Sequence, residues 1–66
     1  MASVGEEFPK EQERLLQLLD AYREIGPAGV FGYAVIRESL VRSFGAMASG
    51  NVTEILASFQ DMKERE

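Results

Sequence analysis

Large apolar side chains recur at helical spacing in three separate runs, and the punctuation between the runs falls where helices end. In the first run Leu15, Leu18, Leu19, Tyr22 and Ile25 share one face, Leu16 widens it, and Arg14, Gln17, Asp20 and Arg23 take the remaining surface. Pro9 suits a first helical position, where its missing N–H costs nothing, and Glu11 and Glu13 place negative charge near the positive end of the helix dipole. These features predict a helix over 9–25, preceded by a flexible lead-in over residues 1–8 that has no periodicity. Gly26-Pro27 then stops the helix, because Gly accepts the left-handed cap conformation and Pro cannot donate the next bond.

The second run is the crowded one. Between the Gly-Pro turn and Ser49-Gly50-Asn51 stand Phe31, Tyr33, Val35, Ile36, Leu40, Val41, Phe44 and Met47, too many large groups for one narrow stripe of a helix. We read one long central helix over 28–48, with Tyr33, Ile36, Leu40, Phe44 and Met47 turned to the internal core. Phe31, Val35 and Val41 lie off that stripe and call for a second surface. Gly29, Gly32 and Gly45 each weaken a helix by about 1 kcal/mol relative to Ala. Ala28, Gly32, Ser39, Ala46 and Gly50 fall close to one side with Ser43 beside them, a strip of small residues that admits a neighbouring helix at short distance. The competing explanation is that Gly29 and Gly32 simply loosen the start of the helix. Glu38 and Arg42, four residues apart in the favourable order, mark an exposed edge.

Asn51 followed by Glu54 resembles a capping box, and Val52, Ile55, Leu56, Phe59 and Met62 give a third helix over 52–63 a clean apolar face. The charged end, 64–66, is expected to fray. The chain therefore reads as all-α: a three-helix chain with a long central helix, one domain over 9–63, paired with a second copy in a homodimeric helical bundle.

Composition adds reasons for the pairing. A 66-residue chain buries only about 60% of the surface its unfolded form exposes. With no Cys and no His, disulfides and the commonest metal sets are excluded, which leaves close helix packing or association as reinforcement. The net charge of −4 comes from 11 acidic and 7 basic residues without a basic block, so nucleic acid is a poor partner. No apolar run is long enough to span a bilayer, no secretory leader pattern is present, and the central helix has only Arg37 and Arg42 to face a membrane surface; a cytoplasmic protein is expected.

Catalytic chemistry has little to stand on. His and Cys are absent, and a serine nucleophile would need Lys10, Lys63 or a carboxylate as base in a setting the sequence does not display. Glu6, Glu7, Glu11 and Glu13 cluster at a helix start, where dipole compensation explains them. The segment from Gly26 to Gly32, GPAGVFG, is Gly-rich and precedes a helix, yet it lacks the Lys-Ser/Thr ending of a phosphate loop and follows a helix instead of a strand. No catalytic, cofactor or metal residue is assigned. The partner or dimer interface is assigned to Gly29, Phe31, Gly32, Tyr33, Val35, Ser39 and Val41, with Phe31 and Tyr33 as leading anchors and Tyr33 equally suited to the core.

The series EQERLLQLLDAYREIGPAGVFGYAVI, L-V-R and AMASGNVTEILASFQDM, covering 11–62, resembles small uncharacterised helical proteins encoded by bacteriophages and prophages. IGPAGVFG and ASGNV are its most distinctive pieces. The resemblance implies a small intracellular phage product in the host cytoplasm that modulates or inhibits a host protein, and it brings no active site. The alternative reading is a small helix-turn-helix regulator that contacts nucleic acid; its third helix offers Thr53, Ser58, Gln60 and Lys63 to DNA, but Glu54, Asp61 and Glu64 oppose phosphate.

Overall fold

A computed structural model describes residues 3–65, and those residues form three α-helices without a strand: α1 (Val4–Ile25), α2 (Val30–Ser49) and α3 (Val52–Lys63), with a short 3-10 turn, Gly26–Gly29, joining the first two. The all-α, three-helix reading holds. The longest helix is the first, at 22 residues, and not the central one, at 20.

α1 begins well before Pro9. Ser3 caps it, its Oγ accepting from the Glu6 N–H at 3.3 Å, and Ser3 with Glu6 has the spacing of a capping box. The lead-in expected over residues 1–8 is therefore helical from Val4; Met1 and Ala2 lie outside the described residues. Pro9 becomes an interior residue, and the Gly5 carbonyl loses its usual helical donor. Two features offset this. Gly5 and Pro9 are exposed, so water can reach the carbonyl, and the same turn buries Phe8, which stacks on Phe59 of α3 with ring centroids 6.3 Å apart.

The ends of the helices follow the residue chemistry. Gly26, at φ 81°, closes α1, and Gly50, at φ 68°, closes α2 with its N–H shared between the Ala46 and Met47 carbonyls. Asn51 starts α3: its Oδ1 accepts from the Glu54 N–H at 3.1 Å, while the Glu54 carboxylate reaches back to the Ser49 hydroxyl at 2.7 Å.

Phe8, Leu15, Ile36, Leu40 and Met62 form the core, with Val4, Leu18, Leu19, Tyr22, Ile55 and Phe59 packed around it. It is a shallow core. The radius of gyration is 12.3 Å, against about 11 Å for a compact chain of this length.

α2 turns its small residues inward. Ser39, Ser43 and Ala46 are buried beside Ile36 and Leu40. Gly29 and Gly32 lie under Tyr22 of α1: a Cβ on Gly29 would run into the Tyr22 carbonyl, and one on Gly32 would come within 2.5–2.9 Å of the Tyr22 ring. The strip of small residues thus admits a neighbouring helix, and that neighbour belongs to the same chain. Phe44 and Met47, expected in the core, are about half exposed because small residues fill the inner positions.

Gly29 and Gly45 predict opposite responses to alanine. Gly29→Ala forces backbone apart and should cost about 1–3 kcal/mol, the range for overpacking. Gly45 has nothing of its own chain within 4 Å of its added Cβ, so Gly45→Ala should stabilise the single, dissociated chain by up to about 1 kcal/mol. Urea midpoints at unchanged slope would measure both. Asn51→Ala, which removes the α3 cap, should lower the same midpoint by the equivalent of about 1 kcal/mol.

Candidate functional site

With its inner face spent on glycine, serine and alanine, α2 carries its bulky apolar groups outward. Phe31 is 81% exposed, Val30 64%, Val41 55%, Phe44 52% and Met47 48%. At 100° per residue, Val30, Ala34, Arg37, Val41, Phe44 and Ala48 form one outward seam with alternating spacings of four and three. Apart from Arg37, the seam is apolar. Its large side chains stay half exposed or more, and Leu16 on α1 adds another half-exposed apolar group.

Two further rows border the seam. Tyr33, Leu40 and Met47, each seven residues apart, lie on the side of α1; Met47 Sδ accepts from Gln12 Nε2 at 3.3 Å, and Tyr33 shares a shallow cleft with Tyr22 and Arg23. Phe31, Glu38 and Gly45, also seven apart, lie on the side of α3. Gly45 opens onto a cleft of about 440 Å³ between α2 and α3, walled by Ala46, Ala57, Arg42 and Asp61. Ser58 also lines it. Its Oγ and Asp61 Oδ2 are buried and have no hydrogen-bond partner among the described residues.

The sequence-assigned interface residues divide accordingly. Phe31 and Val41 are exposed, and Tyr33 and Val35 are half-buried. Phe31 and Val35 border a cleft with Glu64 and Arg65, whereas Val41 belongs to the seam. Gly29, Gly32 and Ser39 are corrections: the chain's own Tyr22 occupies the space above both glycines, and Ser39, only 1% exposed, accepts from Arg65 Nε at 2.8 Å. Val30, Ala34, Phe44 and Ala48 were missed. Their signal was the four-three alternation itself, obscured by assigning Phe44 to the core.

Most of the cationic groups are engaged by partners within the chain. Arg14 of α1 donates to the Met62 carbonyl at 2.6 Å and the Arg65 carbonyl at 2.8 Å, while Glu11 holds its guanidinium at 3.0 Å. Arg65 reaches Asp61 at 3.0 Å as well as Ser39, so Glu64 and Arg65 are held in place where a frayed end was expected; Glu66 lies outside the described residues. Arg42 pairs with Glu38 at 3.1 Å, and Lys63 lies over the Phe59 ring at 5.3 Å. Arg37, in the middle of the seam, makes no ion pair among the described residues.

Among the described residues no group of three or more acidic side chains could hold a metal ion, and no helix is long and apolar enough to cross a membrane. Comparison with protein-family models, curated proteins and solved structures finds no match to this chain.

Arg14 closes the end of α3 with charge-assisted bonds to the Met62 carbonyl, which also accepts the Arg65 N–H, and to the Arg65 carbonyl. Arg14→Ala should destabilise the fold by about 1.5–3 kcal/mol, read as an earlier urea transition with faster amide exchange in α3.

Proposed function

We propose that the chain is a small non-enzymatic protein-binding module whose binding element is the outer face of α2. One observation carries this reading: the bulky apolar groups of α2 point away from the core while small residues face inward. Exposed Phe, Val and Met at regular helical spacing suit burial against another polypeptide, since water gains when such groups are covered. In such a face a few aromatic anchors carry most of the affinity, and Phe31 and Phe44 are the exposed aromatics on α2.

The charge distribution favours protein over nucleic acid. Arg14, Arg42 and Arg65 are committed to acceptors within the chain, and the seam offers a single cation, Arg37. The resemblance to small helical phage and prophage proteins makes a host or phage protein the expected partner, with inhibition or modulation as the outcome of binding.

Photo-crosslinking tests the reading directly. A benzophenone side chain at Val41 should give discrete protein adducts in host lysate, whether with a second copy or with another protein, while the same group at Gln17 on the exposed polar side of α1 should not. Equal labelling from both positions, or none from Val41, would reject α2 as the binding element.

A further inference from the structure

We infer that the outer face of α2 is completed by a second copy of this chain, packed antiparallel about a two-fold axis at the level of Ser39, with Phe31 of each copy entering the α2–α3 cleft of the other. The inference rests on the reading of α2 as the binding element and adds its occupant and register. The spacing four-three-four-three-four reads the same in both directions, so an antiparallel copy meets it layer by layer. In that register Val30 faces Ala48 of the second copy, Ala34 faces Phe44, and Arg37 faces Val41. Large side chains oppose small ones at both ends of the seam, as close packing of two helices requires.

The bordering rows match in the same register. Phe31, the most exposed apolar residue, falls opposite Gly45 of the second copy, beyond which there is open space and a cleft roomy enough for a benzyl group. A glycine weakens a helix interior, and nothing in the chain's own packing uses the absence of a side chain at Gly45. The second copy's phenyl ring supplies that use. On the other border Tyr33 meets Met47, a favourable aromatic–sulfur pairing. Near the axis Glu38 falls opposite Glu38 of the second copy; each is already paired with its own Arg42, and Arg37, which makes no ion pair among the described residues, stands beside them to offset the like charges.

The area is sufficient. Val30, Phe31, Val41, Phe44 and Met47 together leave on the order of 600 Å² open, the larger part of the roughly 800 Å² per partner of a standard stable interface, and the exposed Ala34, Arg37 and Ala48 of the seam add to it.

The chain has no native cysteine, so single substitutions report the register cleanly. Sedimentation equilibrium of the full chain should give a dimer at micromolar concentration. Oxidising a mixture of Val30→Cys and Ala48→Cys chains should give the mixed disulfide, whereas Val30→Cys alone should not crosslink, because the two copies of position 30 stand about 27 Å apart at 1.5 Å per residue. Phe31→Ala and Gly45→Leu should each weaken dimerisation at least tenfold, and far-ultraviolet circular dichroism should remain helical at high dilution. A monomer at every concentration overturns the inference, and if Val41 still gives adducts with a different protein, the binding-module reading stands alone. Efficient self-crosslinking of Val30→Cys would mean a parallel pair and overturns it equally, as would a dimer indifferent to both Phe31→Ala and Gly45→Leu.

Discussion

The spacing between α1 and α2 is set by Tyr22 lying against Gly29 and Gly32. No side chain fits between them, so the turn at Gly26–Gly29 folds back tightly and the two helices leave it in contact. That contact fixes the rotation of α2 about its own axis. Once Gly32 faces Tyr22, helical geometry places Ile36, Ser39, Leu40, Ser43 and Ala46 inward and Val30, Val41 and Phe44 outward. The orientation of the exposed face is a consequence of the turn.

Stability in so small a chain then depends on devices other than core volume. Phe8 stacks on Phe59, and Ser43 ties Gln12 of α1 to α2 through a buried hydrogen bond of 3.1 Å. Arg14 and Arg65 staple the end of α3 to α1 and α2 through carbonyls and the Ser39 hydroxyl. Such charge-assisted contacts position elements that a shallow apolar core leaves loosely held. They also withdraw arginines from the surface, leaving the outer face of α2 apolar around Arg37. Packing of the interior and character of the exposed face are thus linked: serine and glycine inside leave phenylalanine and valine outside, given the residues that α2 carries.

Much of the fold was legible before any coordinates. Three apolar periodicities, the Gly26-Pro27 stop and the Asn51-Glu54 cap located the helices, and the end of α1 and the bounds of α3 agree with the structure. The start of α1 was misplaced because Pro9 suits a first turn. The Ser3-to-Glu6 capping pair was the stronger signal, and burial of Phe8 offsets an interior proline. The site was less legible. Periodicity alone marks Phe31 and Val41 as surplus, but it equally allows the small residues of α2 to face a partner and Phe44 to face the core, which rotates the helix away from its actual setting.

By itself the sequence determined that this chain is helical, where its helices stop, and that the central one holds more apolar surface than one stripe can bury. Those properties are local: they depend on spacing, caps and the conformational limits of glycine and proline. Only the tertiary structure decided which side of α2 faces in. Both a small-residue side and a large-residue side satisfy the periodicity, and the choice between them is made by a residue ten positions away, Tyr22, whose ring leaves room at Gly32 for a hydrogen and nothing more.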